Sequence, residues 1–221
     1  MKLTVTNTIA LCIDLQEKLI PAMSHPDELV NRTSILVRGL TLHSVPVIVT
    51  RQYPKGLGDT VPEIRNALSH ARTIDKLSFS CSDEPMIREA LALPEPPASS
   101  STSSISSTHK SISSPVAHIP TPLTPISSPE CPPSRPWVLV CGVETHICVA
   151  QTVLDLLESG RSVGLVTDCI DSRRSGDHET AIRRMVQAGA IPMSCESVLF
   201  ELTRHAGTDT FRQISRLVTG R

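Results

Sequence analysis

The stretch from Trp137 to Gly160 most strongly constrains the fold of this chain. Residues 137–141 are apolar throughout, which is typical of a buried strand. From Thr145 the apolar side chains recur at helical spacing, and Gly160 is a suitable end for that helix. Only the tight connection Gly142-Val143-Glu144 separates the two runs. The stretch therefore predicts a strand, a short turn and a helix.

Strand and helix signals alternate in the same way along most of the chain. Apolar runs predict strands at residues 9–13, 45–50, 71–75, 137–141, 162–167 and 190–193. Helical periodicity falls between them and closes the chain at residues 209–218. Repeated units of this length predict a parallel sheet covered by helices on both faces. A chain of 221 residues suffices for one such domain, spanning residues 1–221.

A segment rich in serine and proline, at about residues 94–136, interrupts this pattern. Such a composition buries too little apolar surface to offset the entropy lost on ordering. We therefore predict a disordered surface insertion, which a fold tolerates because loop-closure entropy grows only slowly with length. Its Ser-Pro and Thr-Pro pairs leave a regulatory phosphorylation segment as the functional alternative.

Charge and cysteine usage exclude several classes of protein. The net charge is −1 with a pI of about 6.7, and without a basic run or aromatic platform we expect no nucleic-acid partner. The first residues are too polar for a signal peptide, and no apolar run reaches membrane-spanning length. Seven cysteines without a CxxC pair favour neither a disulfide framework nor a zinc site. We expect a cytoplasmic protein with no membrane partner.

Three residues at predicted strand ends are candidates for catalysis. Cys148 falls in the first turn of its helix, where free N–H groups and the helix dipole favour a thiolate. Asp14 ends the first strand and Lys76 follows the third. Each has a plainer interpretation: a buried structural cysteine, a turn cap and a solvated lysine. Together they fit the rule that sites in open parallel sheets collect at the carboxyl ends of the strands.

Around these residues the chain resembles the isochorismatase-like cysteine hydrolases, relatives of the nicotinamidases. The matching motifs are IDLQ (13–16), VTRQYPKGLG (49–58), DKLSFS (75–80), CGVETHICV (141–149) and VTDCIDSRRSGDHETAIRRMVQAGA (166–190). They occur in order over essentially the whole chain outside the insertion. The QYPKGLG loop is most similar to the subgroup called isochorismatase domain-containing proteins.

The resemblance implies a three-layer α/β/α, Rossmann-like fold with six parallel strands in the order 3-2-1-4-5-6. It implies that Asp14 is the general base, that Lys76 orients the pair and lowers the pKa of the thiol, and that Cys148 attacks. A cis peptide would join Val143 to Glu144, and the backbone N–H groups of Glu144 and Cys148 would form the oxyanion hole.

The implied reaction is hydrolysis of a small amide or related C–N bond through a thioester, without cofactor or metal. Gln16, Tyr53 and Phe79 are candidate pocket residues. The D-x-H metal motif of nicotinamidases is replaced by Arg51-Gln52-Tyr53, so no zinc site is inherited. Arg51 also stands where the subgroup usually has an acidic residue.

Two alternatives to this enzyme remain at the level of sequence. A binding or scaffolding protein with the same fold would explain the Arg51 departure and an insertion that reshapes the pocket. Peroxide sensing through Cys148 would need a second, resolving cysteine, and no other cysteine is obviously poised for it.

The resemblance also predicts a homo-oligomer, at least a dimer. We expect its interface near the helix after Asp168 and the apolar segment 198–202. In the alternative, a monomer uses those apolar residues in its own core.

Overall fold

The computed structural model describes residues 2–68, 71–93 and 136–220. Within them, six parallel strands form one sheet in the order β3-β2-β1-β4-β5-β6. The strands are β1 (Thr8–Ile13), β2 (Val47–Gln52), β3 (Arg72–Lys76), β4 (Trp137–Val143), β5 (Ser162–Asp171) and β6 (Ile191–Met193). The predicted fold class and strand order are confirmed.

Helices connect the strands and cover both faces of the sheet. They are α1 (Pro26–Leu42), α2 (Pro54–Leu57), α3 (Pro62–Ala67), α4 (Pro85–Leu91), α5 (Ala150–Glu158), α6 (Ser175–Gln187), α7 (Cys195–Thr203) and α8 (Asp209–Thr219). Short 3₁₀ turns occur at Ile20–Ala22 and Cys81–Asp83, and a π-helical turn at Thr145–Val149 precedes α5. Helices α1, α3, α7 and α8 contribute to the core on one face, and α4, α5 and α6 to the core on the other.

The central strand β1 shows why both faces must be covered. Its six residues are all buried. Ala10 and Cys12 belong to one core, whereas Ile9, Leu11 and Ile13 belong to the other, as the twofold alternation of a strand requires. β1 pairs with β2 on one side and with β4 on the other, so the winding of the chain reverses between β1 and β4. The carboxyl edge at such a reversal is where open sheets form their sites.

Two strands extend further than their apolar runs indicate. β4 continues to Val143, and β5 continues to Asp171 instead of ending near residue 167. The pairing of β4 with β5 shifts register between Val140 and Gly142. At the end of β5, pairing with β4 and not local hydrophobicity keeps the polar Asp171 in the sheet.

The apolar segment 198–202 does not form the predicted surface. It lies in α7, and Val198, Leu199 and Leu202 are buried in the chain's own core. A Cβ placed on Gly39 of α1 would lie 2.4 Å from a δ carbon of Leu199, so α1 and α7 pack closely there. The predicted interface at these residues is wrong, because intramolecular packing already uses their apolar surface.

The Ser/Pro-rich insertion lies outside the described residues except for Pro136. Its disorder and any regulatory role therefore stay predictions. Within the ranges that the structure describes, none of the helices combines the length and the hydropathy that crossing a bilayer requires.

Candidate active site

Asp14, Lys76 and Cys148 meet at the carboxyl edge of the sheet, although 134 residues of sequence separate the first from the last. Asp14 follows β1 directly and has a positive φ of 52°. Lys76 ends β3, and its side chain reaches past the end of β2 to place Nζ 2.7 Å from Asp14 Oδ2. Both side chains have zero solvent exposure. The sheet order thus converts three distant strand ends into one buried cluster.

The two carboxylate oxygens of Asp14 have different partners. Oδ1 accepts a hydrogen bond of 2.7 Å from the Thr50 hydroxyl. Oδ2 lies 2.7 Å from the Lys76 ammonium but lacks a well-directed hydrogen bond, so that contact is chiefly an attraction of charges. Thr50 therefore fixes the orientation of the carboxylate, while Lys76 neutralises it.

Cys148 lies in the π-helical turn between β4 and α5 and is 7% exposed. Burial, followed by the negative charge of Asp14, raises the pKa of its thiol to about 12, although Lys76 acts in the opposite direction. A hydrogen bond to Asp14 also stabilises the protonated thiol. Lys76 thus lowers the pKa of the thiol in the expected direction, but desolvation outweighs it and Asp14 lies beside the thiol as a proton acceptor.

The ammonium of Lys76 stays charged inside the protein. Burial lowers its pKa, but the negative charge of Asp14 acts in the opposite direction, and the pKa is raised overall. Gln52 Oε1 at 2.7 Å accepts a hydrogen bond from Nζ, as do the carbonyl oxygens of Ser78 at 3.1 Å and Phe79 at 3.2 Å. These oxygens replace the water that a buried ammonium lacks.

The loop after β4 carries the other backbone features implied by the resemblance. The peptide bond between Val143 and Glu144 is cis. The carboxylate of Glu144 is 8% exposed and accepts hydrogen bonds from the side chain of Arg173 at 2.9 Å and from its backbone N–H at 3.2 Å. His146 contacts the Ser172 hydroxyl at 2.9 Å. The loop that precedes Cys148 is thereby tied to the end of β5.

The three candidate pocket residues differ in position. Gln16 is fully buried and donates hydrogen bonds to the carbonyl oxygens of Gln52 and Gly58, so it braces the chain instead of lining a pocket. Tyr53 is 52% exposed, and a Cβ on Gly56 would clash with its ring. Phe79 is 55% exposed. Both residues contact Lys76 through their backbones: the Tyr53 N–H donates to the Lys76 carbonyl oxygen, and the Phe79 carbonyl oxygen accepts a hydrogen bond from Lys76 Nζ.

Sequence reasoning missed three neighbours of the cluster. Thr50 and Gln52 lie on β2, and Gln52 is the register partner of Lys76 on β3. Cys81 is fully buried and donates its backbone N–H to the Thr152 hydroxyl, which in turn donates to the carbonyl oxygen of Cys148. A polar residue at the end of an apolar run is common in any sheet, so the sequence pattern alone does not single out Gln52. Only the register of β2 against β3 places it beside Lys76.

Among the described residues, no group of three or more histidine, cysteine, aspartate or glutamate side chains is arranged to hold a metal ion. Four buried cysteines from β1, β4, β5 and α7 lie on the face of the sheet opposite Cys148. Within this group, Cys12 contacts Cys141, and Cys169 contacts Cys195.

The fold and this buried Cys–Asp–Lys cluster are accompanied by clear similarity to known proteins. The isochorismatase domain model matches residues 134–197. A secreted isochorismatase effector, Isc1, of Phytophthora sojae is 31% identical over 215 residues, covering 96% of this chain and 84% of the relative. Isochorismatase domain-containing protein 2A of Mus musculus is 30% identical, covering 96% and 82%. The chain belongs to the isochorismatase family and has its hydrolase fold.

Solved structures show the same architecture. A structure described as MAR1 ribonuclease from Caenorhabditis elegans aligns with a TM-score of 0.78 and 28% identity, covering 99% of this chain and 93% of that one. YcaC from Escherichia coli, described as an octameric hydrolase of unknown specificity, aligns with a TM-score of 0.73 at 21% identity, covering 100% and 96%. The second likeness concerns the fold alone. The cytoplasmic location expected for this chain stays a prediction.

Proposed function

We propose that this protein is a cysteine hydrolase of a small amide or related C–N bond. The observation that carries the proposal is the buried cluster in which Asp14 lies beside the Cys148 thiol and is paired with Lys76 at 2.7 Å. A thiol of this kind needs a base at the moment of attack, and Asp14 is in place to serve as one.

The proposed reaction begins when Asp14 takes the thiol proton and the sulfur of Cys148 bonds to the carbonyl carbon. The backbone N–H groups of Glu144 and Cys148 would stabilise the negative oxygen of the tetrahedral intermediate. The C–N bond then breaks, and the leaving nitrogen takes the proton from Asp14. Water, deprotonated by Asp14, hydrolyses the thioester and restores the thiol. Lys76 keeps its proton throughout and orients the carboxylate.

The test is ammonia release from a panel of small primary amides, with an RNA oligonucleotide included because one relative is described as a ribonuclease. Turnover of an amide that is lost in Cys148→Ala supports the proposal. The matched control is Cys195→Ala, which removes another buried thiol, from the opposite face. Amide turnover that survives Cys148→Ala contradicts the mechanism.

A folded protein that hydrolyses no amide and whose Cys148 reacts with iodoacetamide no faster than free cysteine would favour the binding or scaffolding alternative. We also propose that the protein is a homo-oligomer. Light scattering should then give a mass that is a multiple of 23.9 kDa, and a mass of one chain at micromolar concentration would refute this.

A further inference from the structure

The buried ammonium of Lys76 has only one charged partner among the groups that it contacts in the described structure. Asp14 Oδ2 and Gln52 Oε1 both lie 2.7 Å from Nζ, and the two carbonyl oxygens of Ser78 and Phe79 lie at 3.1 and 3.2 Å. Gln52 is thus the nearest uncharged acceptor, at the same distance as the carboxylate.

Gln52 cannot easily turn away from Lys76. Its side-chain nitrogen donates to the carbonyl oxygen of Leu77 at 2.8 Å, which directs the amide oxygen toward Nζ. Its backbone N–H donates to Gln16 Oε1 at 2.7 Å, and Gln16 Nε2 returns a hydrogen bond of 3.0 Å to the Gln52 carbonyl and one of 2.8 Å to that of Gly58. All four polar groups of Gln52 are therefore satisfied, and its oxygen is held in one place.

The charge state of a buried Lys–Asp pair depends on such neutral oxygens. In a poorly solvated interior, the lysine proton can pass to the carboxylate and leave two neutral groups. Neutral acceptors around the ammonium oppose this transfer because they stabilise its positive charge and do not take its proton. The proton position matters here, since a protonated Asp14 has no capacity to accept the proton of Cys148.

We propose that Gln52, braced by Gln16, is a positioning residue that keeps Lys76 charged and so keeps Asp14 ionised and able to deprotonate Cys148. This role rests on the proposed hydrolase function. In this step the Asp14 carboxylate gains the thiol proton as the sulfur of Cys148 bonds to the electrophile, and Lys76 neither gains nor loses a proton.

Among the described residues, the titratable groups that interact with Lys76 or Asp14 are the thiols of Cys148, of Cys81 in the turn before α4 and of Cys12 in β1. The next residue on β2, Arg51, pairs with Asp59 and Asp75. Arg51 is therefore a suitable control position, because it lies on the same strand as Gln52 but makes none of the hydrogen bonds that hold Gln52.

The test measures the rate at which iodoacetamide alkylates Cys148, followed by mass spectrometry of its peptide from about pH 5.5 to about pH 9. The variant is Gln52→Leu, which removes the acceptor. Arg51→Gln is the matched control. We expect the wild-type rate to be nearly independent of pH around neutrality, because Asp14 supplies the base.

In Gln52→Leu we expect the neutral-pH rate to fall about tenfold or more and to rise with pH, since hydroxide must replace Asp14. Arg51→Gln should keep the flat region. The proposal is overturned if Gln52→Leu keeps the wild-type profile, or if Arg51→Gln loses the flat region equally.

Should Gln52→Leu fail to fold, Gln52→Asn replaces it, because its oxygen falls one methylene short of Lys76 and predicts the same change in profile. An unchanged profile in Gln52→Asn would then overturn the proposal. Since alkylation needs no substrate, these outcomes are independent of the amide panel. If no amide in the panel is hydrolysed but the alkylation profile is as expected, the proposed hydrolase activity is contradicted while the proposed role of Gln52 stands.

Discussion

Replacing Lys76 with methionine should destabilise the protein far more than an ordinary surface substitution. The change leaves the Asp14 carboxylate buried at zero exposure, with the Thr50 hydroxyl but no cation beside it. It also removes the donor that satisfies Gln52 Oε1 and two backbone carbonyls. Removing one partner of a buried ion pair costs about 3–5 kcal/mol. We expect a loss of that size in the free energy of unfolding.

Urea unfolding at neutral pH provides the assay. Trp137 is the single tryptophan and is 3% exposed in β4, so its fluorescence reports loss of the core. With a denaturant slope of about 2 kcal/mol per molar, the midpoint should fall by about 2 M. Far-UV circular dichroism should show the same transition.

The double variant Lys76→Met with Asp14→Asn is the control that isolates the charge. Because no uncompensated charge remains, its loss should be smaller than that of Lys76→Met alone. A single variant within about 1 kcal/mol of wild type, or a double variant that loses the sum of both singles, would refute the reasoning.

Three further predictions concern parts of the fold around the site. Gly142→Ala should lower the free energy of unfolding by about 3 kcal/mol or more, because its Cβ would lie 2.0 Å from a backbone oxygen of β1 at a φ of 122°; a melting temperature like that of wild type would contradict this. Leu199→Ala should cost about 2–5 kcal/mol in urea unfolding, whereas Leu77→Ala, at 74% exposure, should change it by less than about 0.5 kcal/mol; equal costs would be inconsistent with their burial. Hydrogen bonds from Arg51 and a second arginine lower the pKa of Asp59 from 3.8 to about 2, so its stabilising contribution is present above pH 3.8 and is lost as the pH falls through about 2. Solvent screening keeps that contribution below about 1 kcal/mol, and Asp59→Asn should flatten the pH dependence of unfolding below about pH 4.

Much of the fold could be predicted from local patterns. The six strands appear where short apolar runs occur, and the helices that close the βα units appear at the predicted periodicity. Motif order along the chain then supplied the strand order and the three residues of the candidate site. The bounds of β4 and β5 were less accurate, because the ends of these two strands pair with each other beyond the apolar runs that predicted them.

The apolar segment 198–202 illustrates the limit of pattern reading. An apolar helix face fits an oligomer interface and a core equally well, and only its packing beside Gly39 shows that it belongs to the core. Whether the protein forms oligomers through another surface is a separate question, which the light-scattering measurement addresses.

The sequence by itself determined the element types, the strand order implied by its motifs, and the residues Asp14, Lys76 and Cys148 as candidates. The element types follow from local periodicity, whereas the strand order and the roles of the three residues follow from the resemblance of the motifs to a known family. The tertiary structure alone decided that Gln52 faces Lys76 across the register of β2 and β3, and that burial raises the pKa of the Cys148 thiol. The physical reason is that desolvation and hydrogen bonding depend on all the elements that surround a group, and these come from distant parts of the chain.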